Sequence, residues 1–205
     1  MVRKTKEEAE KTRKDIIDAA RRVFHEHGVA RSTLEVIAKE AGVTRGAVYW
    51  HFENKADLFF AMREDVFVPM IERTDEPLLS NRFADPLDAI EASLKEFFRV
   101  LDECSVVREV FEIMLSRCEY VDEFAAVQEE VCRPAQVFLD KLERVYLQAV
   151  AKGTLRQGLD PLATARDTWA FTTGLLHLLL SSKAIDGRDV QVPAMIAGHM
   201  ALRRR

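Results

Sequence analysis

Cysteine, glycine and proline are all scarce in this chain of 205 residues, and each scarcity excludes a class of protein. The three cysteines (Cys104, Cys118 and Cys132) are odd in number and widely spaced, which argues against a disulfide framework and against paired zinc ligands. Eight glycines and six prolines are few, and no alternating polar and apolar run predicts a sheet. Without disulfides, a reducing cytoplasm is the localisation we expect.

Long hydrophobic runs and catalytic motifs are missing as well. The longest apolar run, Leu175 to Leu180, is interrupted by His177 and is far shorter than the roughly 20 residues that span a bilayer. The polar N-terminus lacks the apolar segment of a secretory signal. We find no glycine-rich phosphate loop, nucleophile elbow or metal-ligand spacing, so no membrane association, enzyme activity, catalytic residue, metal or cofactor is predicted.

The charge of the chain is distributed unevenly. The net charge is −4, but residues 1–60 hold 12 Lys and Arg against 10 Asp and Glu, whereas the remainder holds 18 against 24. This asymmetry favours contact between phosphates and the N-terminal part. With 48% hydrophobic and 31% charged residues, the composition is that of a globular protein that can bury a core.

Apolar residues recur at helical spacing along the whole chain, which predicts an all-α fold. A capping box of Ser32 and Glu35 is expected to open a short second helix, and Gly42 to end it. Residues 74–85 are predicted as a loop between domains, and Pro134 is expected to kink or divide a long helix. The other helices are expected at about 7–27, 45–51, 55–71, 87–103, 106–116, 121–152, 161–182 and 192–202.

Two short helices joined at a glycine and preceded by a longer helix are typical of a helix-turn-helix unit. We therefore expect a three-helix DNA-binding domain at 1–60 and a second helical domain at 61–205. The spacing places Val48 and Phe52 on the inner face of the unit and Arg45 and Tyr49, four residues apart, on the outer face.

The stretch from Val43 to Leu58 (VTRGAVYWHFENKADL) closely resembles the tetracycline-repressor (TetR) family of bacterial regulators. Arg45 is of the right type to pair with guanine O6 and N7, and Gly46 would let the backbone approach DNA. Thr33 and Thr44 lie at expected helix N-termini, where free backbone N–H groups favour the binding of phosphate. The resemblance implies DNA contacts by Thr33, Thr44, Arg45, Gly46, Tyr49, Trp50, His51 and Lys55.

The opening residues and the segment Cys118 to Val121 are similar to repressors of multidrug efflux pumps, the acriflavine-resistance (AcrR) type. This subgroup implies that residues 61–205 form a ligand-binding and dimerisation domain. A small apolar or aromatic effector would release the protein from operator DNA, and the last two long helices would form a homodimer. The residues expected to bind the effector are Phe97, Phe111, Met114, Cys118, Phe138, Trp169, Thr172 and Thr173.

Two alternative functions stay open at this stage. A protein of the same fold could bind DNA without controlling transcription, as a nucleoid or cell-division factor. A transcriptional activator would also fit the sequence, because nothing in the residues separates activation from repression.

Overall fold

The computed structural model describes residues 6–121, 124–181 and 191–205. Helices dominate these ranges, and the only extended pairing within them is an isolated bridge between Leu155 and Arg204, so the predicted all-α fold is confirmed. The elements are α1 (Lys6–His27), α2 (Leu34–Glu40), α3 (Arg45–His51), α4 (Lys55–Leu79), α5 (Pro86–Glu103), α6 (Ser105–Glu112), a π-helical turn (Ile113–Arg117), α7 (Ala125–Lys152), α8 (Pro161–Leu180) and α9 (Val192–Ala201).

The described residues form two compact units. The first contains residues 6–68 together with 106–121 and 124–128, and the second contains the remaining described residues. Helix α4 contributes to both units, because the first unit ends at Val68 and α4 continues to Leu79. Among the described helices, none is both long and apolar enough to cross a bilayer.

The core of the first unit is built on one face of α1. Ile16, Ala20 and Phe24 repeat every four residues and are completely buried, as their spacing predicts. Ile37 of α2 and Val48 of α3 are equally buried. Gly28 ends α1 in the left-handed region, at φ 81°, which a residue with a side chain adopts at a cost.

The predicted capping box of α2 is wrong by one residue. Thr33, not Ser32, is the N-cap, and its hydroxyl accepts a hydrogen bond from the Val36 amide at 3.2 Å. The Ser32 hydroxyl is buried and instead donates to the Gly28 carbonyl at 2.7 Å. Ser32 therefore stabilises the turn after α1, and the next residue, Thr33, caps α2.

The π-helical turn packs on α1 within the first unit, and side-chain contacts join α6 to the same helix. Arg21 forms an ion pair with Glu109, and His25 hydrogen-bonds Glu112 with 2.6 Å between the imidazole and carboxylate atoms. The Val29 amide donates to the carbonyl of Arg117 at 2.8 Å. A segment more than eighty residues further along the chain is thus held on the helix-turn-helix by side-chain and backbone contacts.

Helix α4 is longer than predicted. It runs from Lys55 to Leu79 and contains two prolines, although the sequence predicts a loop from residue 74 onward. Tertiary contacts outweigh the missing amides here: Ser93 donates to the carbonyl of Thr74 at 2.8 Å, and Lys141 pairs with Asp75 at 2.5 Å. Pro134 likewise lies inside an unbroken α7, contrary to a division of that helix.

A hydrogen-bonded cluster joins α7, α8 and α9 in the core of the second unit. The hydroxyls of Tyr146 and Thr168 are 2.7 Å apart, and Nε2 of His199 is 3.2 Å from the same Thr168 hydroxyl. The His199 ring also stacks on Phe171, with 4.0 Å between ring centroids. Because Tyr146 and Thr168 are completely buried, these bonds replace water for groups that would otherwise be costly to bury.

The protonation state of His199 should make stability depend on pH. Burial lowers its pKa to about 4 from an ordinary 6.5, and the charge of Arg203 acts in the same direction. Between these two values the unfolded chain binds more protons than the folded one, so the free energy of unfolding rises with pH. The stability that neutral His199 provides is complete above about pH 6.5 and is lost as the pH falls. We expect the free energy of unfolding of His199→Gln to fall less than that of the wild type over this range.

The measurement is urea unfolding followed by circular dichroism at several pH values. His27→Gln, which removes an exposed imidazole at the end of α1, is the matched control for loss of a histidine. An identical pH dependence in His199→Gln and the wild type would contradict the assignment.

Candidate nucleic-acid interface

Thr44 and Val48 fix the start and the orientation of α3, and Thr33 caps the preceding helix α2. The Thr44 hydroxyl accepts a hydrogen bond from the Ala47 amide at 3.1 Å and starts the helix at Arg45. Val48 is completely buried and anchors the inner face of α3. Thr33 caps α2 in the same way, so both predicted phosphate-binding threonines are exposed at helix N-termini.

The outer face of α3 is a row of large exposed side chains. Arg45 and Tyr49 are both exposed, as their spacing predicts. Trp50 is 72% exposed, which is rare for a tryptophan and leaves its apolar surface without cover from the described residues. His51 is half-buried and meets the edge of Trp50, with ring centroids 4.4 Å apart.

Arg45 contacts Tyr49 one helical turn away. Its guanidinium carbon lies 5.3 Å from the centroid of the tyrosine ring, and Nη2 donates to the tyrosine hydroxyl at 3.3 Å. The hydrogen bond to Tyr49 is the main cause that raises the pKa of Arg45 above its usual value. The residue is therefore a permanent cation on an otherwise apolar and aromatic face.

Gly46 has no structural reason to be glycine. A β-carbon built at this position meets only the Thr44 hydroxyl oxygen, at 3.9 Å, which is ordinary contact. Inside a helix, glycine is less favourable than alanine by about 1 kcal/mol. Glycine at position 46 therefore costs stability and gains no packing in return. This combination is typical of a site where the backbone must come close to a ligand.

The side chain of Lys55 is less exposed than the sequence suggests. It is half-buried at the first residue of α4, and its ammonium group is 5.5 Å from the centroid of the Phe124 ring. Phe124 belongs to the same compact unit, although it is distant in the chain. Contact between Lys55 and a phosphate stays a prediction, and it would require the side chain to turn away from this ring.

A surface groove of about 530 Å³ runs beside α3, and the sequence reasoning missed its α1 wall. Ala9 and Thr12 of α1 line the groove opposite Gly46 and Trp50. Thr12 lies four residues before Ile16 on the buried face, so the helical period could have identified it. The first turns of α1 therefore lie beside α3.

The predicted effector-binding residues are divided between the two units. Phe111, Met114 and Cys118 belong to the first unit, where the rings of Phe111 and Phe67 have centroids 4.9 Å apart. Burial raises the pKa of the Cys118 thiol to about 11 despite opposing effects of Tyr120 and Lys55. The side chain is therefore a neutral thiol at physiological pH.

The other five predicted effector-binding residues belong to the second unit. Phe138 of α7 and Trp169 of α8 are half-buried and face each other, with ring centroids 6.0 Å apart. The Thr172 hydroxyl is buried and donates to the Thr168 carbonyl at 2.7 Å, so its proton is already used. Thr173 is half-buried, and Phe97 meets the ring of Phe98 at 5.0 Å. Among the described residues, no cluster of three potential metal ligands is present.

Residues 16–62 match the family model described as bacterial regulatory proteins, tetR family. The HTH-type transcriptional regulator TtgR of Pseudomonas putida is 39% identical over 182 residues, which cover 86% of this chain and 84% of the relative.

Two solved structures are similar over nearly the whole chain. NalD, the secondary repressor of the MexAB-OprM multidrug efflux pump in Pseudomonas aeruginosa, is 33% identical with a TM-score of 0.85 and coverage of 98% of this chain and 99% of that one. The SmeT–triclosan complex is 34% identical with a TM-score of 0.80 and coverage of 95% and 92%. SmeT is the repressor of the Stenotrophomonas maltophilia multidrug efflux pump SmeDEF. The family match, the identity and the coverage together show that this chain belongs to the TetR family and is a DNA-binding transcriptional regulator.

Proposed function

We propose that this protein represses the operon of a multidrug efflux pump in the cytoplasm and leaves its operator when a small apolar or aromatic molecule binds. The observation that carries the proposal is the exposed row on α3 in a chain that matches the repressor NalD over 98% of its length. SmeT, a second similar repressor, is found in complex with triclosan.

The chemistry of the α3 face suits a duplex. The Arg45 guanidinium can pair with O6 and N7 of guanine, and such a pair contributes about 1–3 kcal/mol of discrimination against other bases. The hydroxyl of Tyr49 and the imidazole of His51 can donate to phosphates, and so can the amides at the N-terminus of α3. Trp50 can pack against sugar and phosphate at the edge of the groove beside α1.

A homodimer would place two such faces on successive major grooves, about 34 Å apart. The last two helices, α8 and α9, are proposed to form the dimer. An effector that favours a different spacing of the two recognition helices shifts the population away from the DNA-bound form, and a coupling of about 1–3 kcal/mol is sufficient. In the second unit, the facing rings of Phe138 and Trp169 are proposed to contact an aromatic effector.

The DNA-reading role of Arg45 can be tested directly. We expect Arg45→Ala to weaken binding to duplex DNA from upstream of the chain's own gene by about 5- to 150-fold, the equivalent of a lost guanine contact. Fluorescence anisotropy at fixed salt measures the dissociation constant. Arg133→Ala removes an exposed charge from α7 and should bind as the wild type does. Equal binding by Arg45→Ala and Arg133→Ala would reject the assignment.

Release by an effector can be tested with triclosan as the probe. We expect triclosan to weaken wild-type DNA binding by about 5- to 150-fold. The ratio of dissociation constants with and without triclosan should be smaller in Trp169→Leu, since one of the two facing rings is lost. A control with Leu147→Ala, an exposed apolar residue of α7 outside the proposed dimerisation helices, should keep the wild-type ratio. An unchanged ratio in Trp169→Leu would remove this ring from the effector site.

Gly46 should separate stability from DNA binding. Because a β-carbon fits the fold and alanine favours a helix, Gly46→Ala should keep or raise the melting temperature. The added methyl group stands on the DNA-facing side and should weaken duplex binding at least several-fold. Calorimetry and anisotropy on the same sample measure both quantities. A variant that melts lower, or that binds DNA normally, would mean that glycine serves another purpose here.

A further inference from the structure

The contact between Arg45 and Tyr49 restricts a side chain that is otherwise long and mobile. Thr44 starts the helix at Arg45, so Tyr49 lies one turn along the same exposed face. The guanidinium lies over the ring, 5.3 Å from its centroid, and Nη2 donates to the ring hydroxyl at 3.3 Å. A cation–π contact and a hydrogen bond to the same partner together limit where the guanidinium plane can point.

The hydrogen-bond pattern leaves one edge of the guanidinium available. The guanidinium has two edges that can each donate two parallel hydrogen bonds: one formed by Nη1 and Nη2, the other by Nε and Nη2. Nη2 has one hydrogen on each edge. The bond to the Tyr49 hydroxyl uses one of them, so one two-donor edge is occupied and the other keeps both donors. A two-donor edge is what guanine recognition requires.

We infer that Tyr49 is a positioning residue for Arg45: it holds the guanidinium on its ring and thereby sets the base preference at the position that Arg45 reads. This inference rests on the proposed function, since it concerns how the same face reads DNA. Pre-ordering the arginine reduces the conformational freedom that is lost on binding, and it favours the base whose acceptors meet the available edge.

The inference differs in a measurable way from a direct phosphate contact by Tyr49. A hydroxyl that only donates to phosphate contributes equally to every sequence, because phosphates carry no base information. A ring that orients Arg45 contributes chiefly at the base pair that Arg45 reads. Base preference, rather than overall affinity, therefore distinguishes the two roles.

The experiment is selection of bound duplexes from a pool with a randomised central segment, followed by sequencing. The proteins are the wild type, Arg45→Ala, Tyr49→Phe, Tyr49→Leu and the double variant Arg45→Ala/Tyr49→Leu. Arg45→Ala identifies the base pair that Arg45 reads as the position where preference is lost. Tyr49 is exposed, so its variants should fold, and circular dichroism of each protein checks this.

We expect Tyr49→Leu to lose preference at the same base pair as Arg45→Ala. The expected loss is about two- to fivefold, the size of an exposed cation–π contact. Tyr49→Phe keeps the ring but loses the hydroxyl, so its loss of preference should be smaller than that of Tyr49→Leu. In the Arg45→Ala background, Tyr49→Leu should change that position no further, because the residue it acts through is absent.

Two results would overturn the inference. One is a uniform loss of affinity in Tyr49→Leu with the base preference intact, which would indicate a phosphate contact alone. The other is an equal effect of Tyr49→Leu with and without Arg45, which would show that the tyrosine acts independently. Failure of the DNA-reading role proposed for α3 looks different, since the wild type would then enrich no sequence at all.

Discussion

The buried side chain of Val48 is the constraint on which the DNA-binding face depends. It is completely buried, and it sets the rotation of α3 about its own axis. Because residues advance by about 100° around a helix, this anchor places Arg45 and Tyr49 together on one flank of α3, about 60° and 100° from Val48. Ile37 and Phe24 supply the apolar surface of the core that holds it. The chemistry of the exposed face therefore follows from a packing contact on the buried face of the same helix.

Local signals in the sequence were sufficient for most of the helix-turn-helix, although they predicted the cap of α2 one residue too early. Gly28 and Thr44 mark an end and a start where the structure has them, and the buried face of α1 follows the helical period. The family motif from Val43 to Leu58 pointed to the same face of α3. These features depend on neighbours within one or two turns, which is the range over which a sequence can be interpreted without a structure.

The rest depends on contacts between distant residues. The continuation of α4 through Pro77 depends on Ser93 and Lys141, which no local pattern connects to it. The packing of α6 on α1 through Arg21 and Glu109 is equally invisible, because each residue looks like an ordinary surface charge in its own helix. Helical periodicity states which face is buried, but it does not state against which partner.

The thiol of Cys118 carries a consequence for the kind of signal this regulator can receive. With a pKa of about 11, only about one molecule in ten thousand carries the thiolate at neutral pH. Peroxides and electrophiles react with the thiolate form, so Cys118 is a slow target for oxidative or alkylating stress. A compound that contacts Cys118 would therefore meet a neutral, weakly polar sulfur, and its shape and apolar surface would matter more than its reactivity toward thiols.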